Sequence, residues 1–313
     1  DGDVSGNHGE SDFWIVKLTP TGTLDWQKSH GGSGTDVANS IYQTLDGGYI
    51  VAGLSDSSDG DVVANRGGYD FWFLKLDEEG NFDGQASHGG SGNDIAYSIQ
   101  QTSDGGYILA GESNSNDWDV TGNHGGTDYW VVKTSSQGSI EWQKSLGGSG
   151  NERANSIVQT TDGGYIVAGY SNSVDGDVSG NLGGTDFWVV KLSTQGILEW
   201  QKSLGGTNSD AAYSIQQTDA GGYIVAGLSL SNDGDVSANH GGDDYWVVKI
   251  NDSGNIEWQK SLGGSQMDRA NSVNQTADGG YIVTGFSMST DGDVTENHGI
   301  QDYWMVKLNA SGI

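Results

Sequence analysis

An all-β fold of repeated four-stranded antiparallel sheets is what the sequence predicts, and three observations predict it. The string D-G-D-V at residue 1 returns as DGDV at 59, DWDV at 117, and DGDV at 175, 233 and 291, a step of 58 with no insertion or deletion. Trp14, Trp72, Trp130, Trp188, Trp246 and Trp304 fall on the same grid, as do Lys17, Lys75, Lys133, Lys191, Lys249 and Lys307. Within one period the local signals are all strand and turn, and no stretch carries helical spacing.

The period from 175 shows each element. DFWVVKL (186-192) is aromatic and β-branched, and after a short TQG turn LEWQKSLGG (198-206) gives a second strand bounded by Gly. In the preceding period, RANSIVQT (153-160) alternates small or polar with apolar residues. TDGG (161-164) turns it into YIVAGYS (165-171), a hairpin whose Gly supplies positive φ. NSVDGDVSGNLGG (172-184) reads as a long ordered loop. Four short strands per unit of 58 residues is the pattern of a β-propeller, whereas the coils of a parallel β-helix are shorter, about 20 to 25 residues. The Ala- and Ser-bearing ANSIVQT strand suits the crowded inner position, and LEWQKSL, with its charge, suits an outer edge.

The run from GGYIVAGYS through DFWVVKL to G-x-x-x-W (Gly22 to Trp26, Gly138 to Trp142, Gly196 to Trp200, Gly254 to Trp258) resembles the tryptophan-docking repeats of quinoprotein-like propellers. It is similar, more closely, to the Gly- and Asp-rich propeller repeats of secreted bacterial surface proteins and lipoproteins. The likeness covers the whole chain and implies a fold rather than an activity. The second copy departs from it, with Gly84 and Ala86 in place of Trp and Lys, so its outer strand is expected to be the least well anchored. A single propeller domain over 1-313 is expected. The grid gives 21 strands where five blades need 20. Pairing one terminus beside the other would complete five blades and leave one copy of the DFW strand redundant, which is the expectation; the alternative is a piece of a six- or seven-bladed ring. A start inside a repeat without Met points to processing or partial coverage.

Composition sets the functional limits. The chain has 313 residues, 42 acidic against 13 basic, for a formal charge of −29. That sign repels phosphate backbones, so nucleic acid is not an expected partner, and no apolar run reaches the roughly 18 residues of a membrane span. The absence of Cys excludes disulfides, thiolate metal sites and cysteine nucleophiles. The 11 Trp, 13 Tyr and 6 Phe supply core that a disordered chain lacks.

The acids concentrate in the loops. From residue 175 the loop reads D-G-D-V-S-G-N-L-G-G-T-D, with oxygen-bearing side chains at positions 1, 3, 5, 7 and 12 and Gly at 6, a spacing that resembles calcium loops of the EF-hand type. Candidate ligands are Asp1, Asp3, Asn7 and Asp12; Asp59, Asp61, Asn65 and Asp70; Asp117, Asp119, Asn123 and Asp128. The set continues with Asp175, Asp177, Asn181 and Asp186; Asp233, Asp235, Asn239 and Asp244; Asp291, Asp293, Asn297 and Asp302. The last position is Asp rather than bidentate Glu, and position 6 is Ala64, Ala238 or Glu296 in three copies. The competing reading is an Asx-turn loop in which Asp and Asn cap backbone N–H groups. Calcium is preferred here because three acids in one loop exceed what capping requires.

Other recurring residues have plainer readings. Asp36, Asp94, Glu152, Asp210 and Asp268 open the inner strand and are expected to cap its turn, and the Lys column is expected to pair with neighbouring acids. His8, His124, His240 and His298 share a position with Arg66 and Leu182 and read as exposed loop tips, while His30 and His88 alternate with Leu and read as packing variants. The Trp columns read as core. Residues unique to single copies, Glu112, Trp118, Arg153 with Arg269, Met267 and Glu296, assemble no catalytic set. The expectation is a non-enzymatic, calcium-stabilised extracellular or cell-surface module serving structure, adhesion, or protein or glycan binding. The alternatives are a polysaccharide-acting enzyme with a site at the channel mouth, or a scaffold segment of a larger assembly.

Overall fold

The computed structural model describes residue 4 and residues 6–313. Among them are 21 strands and no helix, grouped by contacts into two compact units, Asp1–Leu146 and Gly147–Ile313. The first unit holds a two-stranded sheet, β1 (Phe13–Leu18) and β2 (Leu24–His30), then two four-stranded sheets. These are β3 (Asp36–Gln43), β4 (Tyr49–Ser55), β5 (Asp70–Leu76) and β6 (Phe82–His88), and β7 (Asp94–Gln101), β8 (Tyr107–Ser113), β9 (Asp128–Thr134) and β10 (Ile140–Leu146). The second unit holds the sheet β11 (Glu152–Gln159), β12 (Tyr165–Ser171), β13 (Asp186–Leu192), β14 (Leu198–Leu204) and the sheet β15 (Asp210–Gln217), β16 (Tyr223–Ser229), β17 (Asp244–Ile250), β18 (Ile256–Leu262). A three-stranded sheet, β19 (Asp268–Gln275), β20 (Tyr281–Ser287) and β21 (Asp302–Leu308), follows.

Every sheet is an antiparallel meander in chain order, and in the four-stranded sheets the ANSIVQT-type strand forms one edge and the LEWQKSL-type strand the other. The strand limits follow the sequence reading within a residue or two, and YIVAGYS and DFWVVKL coincide with β12 and β13. In β13 all seven residues are buried, because both faces of a central strand are covered when sheet stacks on sheet. At four junctions between neighbouring sheets a Phe or Tyr ring packs closely on a Trp ring. Phe13 lies 4.4 Å from Trp72, Phe71 4.4 Å from Trp130, Phe187 4.5 Å from Trp246 and Tyr245 4.6 Å from Trp304, ring to ring. Trp72, Trp130, Trp188 and Trp246 are completely buried, as expected of core.

Each first strand carries a bulge that the alternation did not reveal. Register shifts between Ala38 and Ser40, and at the same step in β7, β11, β15 and β19, leave one extra residue. Opposite it stands Gly: a Cβ on Gly53 would come within 1.8 Å of the Val37 carbonyl oxygen, and on Gly227 within 2.0 Å of that of Ala211. The extra residue reaches onward, Asn39 Nδ2 donating to the Ala96 carbonyl at 2.8 Å and Asn155 Nδ2 to that of Ala212 at 2.7 Å.

Candidate cation-binding carboxylates

Asp1 and Asp3 lie outside the described residues. The remaining loop residues are separated by the fold into distinct tasks. Position 7 is an Asx cap: Asn65 Oδ1 accepts from Gly67 N at 3.0 Å, and its Nδ2 donates to the Ser55 carbonyl at 2.9 Å. Asn123, Asn181, Asn239 and Asn297 make the same two bonds in their own copies, and Asn7 Oδ1 accepts from Gly9 N. Position 1 caps the turn before the inner strand. Asp59 Oδ1 accepts from Ser33 N at 2.7 Å, and Asp117, Asp175, Asp233 and Asp291 accept from Ser91, Ser149, Thr207 and Ser265. The Ser33 and Ser265 N–H groups hold the Asp59 and Asp291 carboxyls below the usual range.

Position 3 reaches the first Gly of the same turn: Asp235 Oδ2 accepts from Gly205 N and Asp293 Oδ2 from Gly263 N, both at 3.3 Å, with Asp119 and Asp177 on Gly89 and Gly147. In the first such turn Asp61 Oδ2 meets His30 Nδ1 at 2.9 Å. Position 12 accepts from the backbone four residues back, Asp12 from His8, Asp70 from Arg66, Asp128 from His124, Asp186 from Leu182, Asp244 from His240 and Asp302 from His298. Among the described residues no three His, Asp or Glu side chains form a metal cluster. Positions 1, 3 and 7 are engaged by backbone donors at different places, which is the capping geometry.

What the fold does bring together is the last Asp of one loop and the acid of the following inner strand. The two carboxylates flank a single glycine. The point a Cβ on Gly205 would occupy lies 2.5 Å from Asp186 Oδ1 and 2.6 Å from Asp210 Oδ2. The same point at Gly89 lies 2.4 Å from Asp70 Oδ1 and 2.6 Å from Asp94 Oδ2; Gly263 stands between Asp244 and Asp268, and Gly31 between Asp12 and Asp36, in the same way. Asp36, Asp70, Asp94, Asp186, Asp210, Asp244 and Asp268 are wholly buried. In each of the four pairs both Oδ1 atoms lack a hydrogen bond of normal geometry among the described residues, although the Ser113 and Ser229 hydroxyls stand close enough to Asp94 and Asp210 to favour their charged forms. The strand acid also caps its turn as expected: Asp210 Oδ2 accepts from Gly206 N at 2.9 Å and from Ser231 Oγ at 2.8 Å.

Two buried like charges cannot both ionise without compensation. Burial pushes the Asp186 carboxyl up to about 7, against the Leu182 N–H and with repulsion from Asp210 and Asp235 adding to it. Burial pushes Asp70 up to about 6, where the Arg66 N–H and guanidinium pull the other way against Asp94. Burial likewise raises Asp94, Asp210 and Asp244.

As expected, His8, His124, His240 and His298 are exposed and His30 and His88 pack 5.8 Å from the Phe82 and Phe73 rings, and most of them also approach a carboxylate. His124 Nδ1 and His240 Nδ1 lie 2.7 Å from Asp128 and Asp244, His8 Nδ1 3.0 Å from Asp12, and His88 Nδ1 3.3 Å from Asp119. The available signal was spacing, since His and the last Asp are four apart in four copies. The Lys column pairs with acids as expected: Lys133 Nζ lies 3.0 Å from Asp104 and 2.9 Å from Glu141. Of the repeat-breaking residues, Glu112 accepts from the Tyr97 hydroxyl at 3.0 Å, Arg269 Nε pairs with Asp243 at 2.7 Å, and Trp118 is exposed at φ +53° where other copies have Gly.

No family model matches the chain, and no curated protein matches it. The solved structures that the chain is similar to in fold include these two. A protein of unknown function from Bacteroides caccae shares 14% identity over 97% of this chain and 92% of its own, with a TM-score of 0.53. The WD40 domain of Neurospora crassa Pan2 shares 10% over 86% of this chain and 66% of its own, with a TM-score of 0.50. The meander sheets, the 58-residue grid and these likenesses define the class: the chain has a β-propeller fold, and about five blades fit its repeat.

Proposed function

We propose that the protein is a non-enzymatic β-propeller module of the cell surface or extracellular space, stabilised by calcium and serving to bind a protein or glycan partner. The observation that carries the calcium part is the set of buried carboxylate pairs whose Oδ1 atoms lack a hydrogen bond of normal geometry. A divalent cation is a hard acid that takes carboxylate oxygens and removes the repulsion in each pair. Asp186 with Asp210, Asp70 with Asp94, Asp244 with Asp268, and Asp12 with Asp36 would hold it, in place of the single-loop shell. The non-enzymatic part is supported by Glu112 and Arg269, tied to local partners, and by Trp118, exposed on its loop, which converge on no acid–base or nucleophile set. The acidity, −29 overall, suits a salty exterior in which screening weakens repulsion.

Thermal unfolding with chelator and then with added calcium tests the reading. Chelation is expected to lower Tm and calcium to restore it, as for any ligand that binds the native state alone. An unchanged Tm in both directions sinks the calcium part.

A further inference from the structure

In three junctions of the repeat the structure shows how the outer-strand tryptophan is received. The Trp26 ring sits 5.7 Å from that of Tyr49, Trp200 6.1 Å from Tyr223 and Trp258 5.6 Å from Tyr281. Opposite each tyrosine a turn glycine makes room: a Cβ on Gly80 would lie 2.9 Å from Trp26, on Gly254 2.9 Å from Trp200, and on Gly312 2.7 Å from Trp258. At the first junction the indole N–H donates to the Glu78 carbonyl at 3.3 Å, and Lys17 Nζ stands 6.0 Å over the ring.

The second copy has Gly84 where that tryptophan would be. A Cβ at Gly84 meets nothing within 4 Å, and beside it opens a cavity of about 480 Å³. Its walls are the 58-step equivalents of the receiving groups: Tyr107 for Tyr49, Gly138 for Gly80, Ser136 for Glu78, and Lys75 for Lys17. Phe73, where other copies carry Ile15, Val131, Val189, Val247 or Met305, supplies one more ring, 6.3 Å from Tyr107. Lys75 is held at the wall by Asp46 at 2.7 Å and Asp83 at 2.9 Å. The cavity falls within the range of about 300 to 1,000 Å³ usual for small-ligand sites.

We propose that this cavity is a binding site for an indole ring, the tryptophan side chain of a polypeptide partner. It keeps the stacking ring, the turn glycine and the cation of a tryptophan slot, with Ser136 at the Glu78 position. The point a Cβ on Gly138 would occupy lies 3.0 Å from Ala86 and 3.5 Å from the Phe73 ring, so the open part of the slot is the side next to Gly84. The proposal gives the binding-module reading a partner chemistry but rests on the cavity and not on the carboxylates, so the two fail separately: calcium response without indole binding removes this one alone.

Titration of the folded protein with free indole and with N-acetyltryptophanamide, followed by NMR, is the test. Both are expected to bind saturably, with Kd of roughly millimolar or tighter for so small a ligand, and to give intermolecular NOEs to Phe73 and Tyr107. Gly84→Trp is expected to weaken binding at least about tenfold by filling the slot. The proposal is overturned by no saturation up to the solubility of indole, by NOEs to other residues only, or by equal affinity in folded Gly84→Trp. It is equally overturned if methyl glucoside saturates the site and indole does not. If Gly84→Trp does not fold, the wild-type NOEs decide.

Discussion

Asp186 and its equivalents look in sequence like the closing ligand of a calcium loop, yet their tasks diverge from those of the loop's other acids. A linear spacing shows which residues share a loop, and it cannot show that Asp186 meets Asp210, whose strand comes only after the next two strands and a turn. That is why the capping of Asp36 and its copies was legible while the pairing was not. The pairing has a pH signature. With the unfolded value near 3.8 and the folded value about 7, native Asp186 holds a proton that the unfolded chain has released. The associated stability is full below pH about 4 and is lost as pH rises through 7, and Asp70, at about 6, acts in the same sense. In chelator, Tm is therefore expected to fall between pH 4 and 7.5. Asp186→Asn removes one of the like charges and can donate toward Asp210, so it is expected to stabilise the chelated protein at pH 8 by about 2 kcal/mol and to blunt the calcium response. A loss of stability for Asp186→Asn in chelator at pH 8 contradicts the account of the pair.

The strand and the junction are the elements on which stability turns. Trp72 is fully buried beneath Phe13, and its indole N–H donates to Gln85 Oε1 at 3.0 Å; Trp14, on the same grid, is 46% exposed. Trp72→Ala is expected to cost about 3–5 kcal/mol, as large-to-small changes in a core do, and Trp14→Ala less than half of that, measured by denaturant unfolding. Equal costs would show that sheet-on-sheet stacking is not the source. Gly227 probes the bulge: its β-carbon would meet the Ala211 carbonyl at 2.0 Å, so Gly227→Ala is expected to cost roughly 3 kcal/mol with a register change visible in amide shifts. The strands themselves were readable because aromatic and β-branched runs between Gly-rich turns leave one interpretation. The bulge was not, because Ala and Ser alternate in the strand as if it were regular, and only the partner strand's glycine records the extra residue. Gly84 and Ala86 mark a similar boundary. The sequence suggests a weakly anchored outer strand, whereas β6 pairs with β5 from Phe82 to His88, and the loss appears as space beside it.

At the scale of the whole molecule, the charge of −29 divides into acids with different physical roles. Some, such as Asp59 and Asp291, are lowered by backbone donors and need no cation. Others pair with the lysine column: Lys75 holds the Asp46 carboxyl down at about 2, with Thr44 and the Gly48 N–H helping, so that this contribution is lost only in acid, as pH falls from about 4 toward 2. The buried pairs are the remainder that neither arrangement neutralises. Monovalent salt and calcium should therefore act on different populations. Salt screens exposed acids, for which the Debye length is about 8 Å at 0.15 M, and reaches buried pairs far less. Sodium chloride in chelator is expected to raise Tm gradually and without saturation at low concentration, while calcium raises it further at matched ionic strength and saturates. Magnesium, which demands octahedral geometry and keeps its waters, is expected to fall short of calcium. If matched sodium chloride reproduces the calcium effect, the chain's acidity acts as a surface field alone and the buried pairs are satisfied by shared protons.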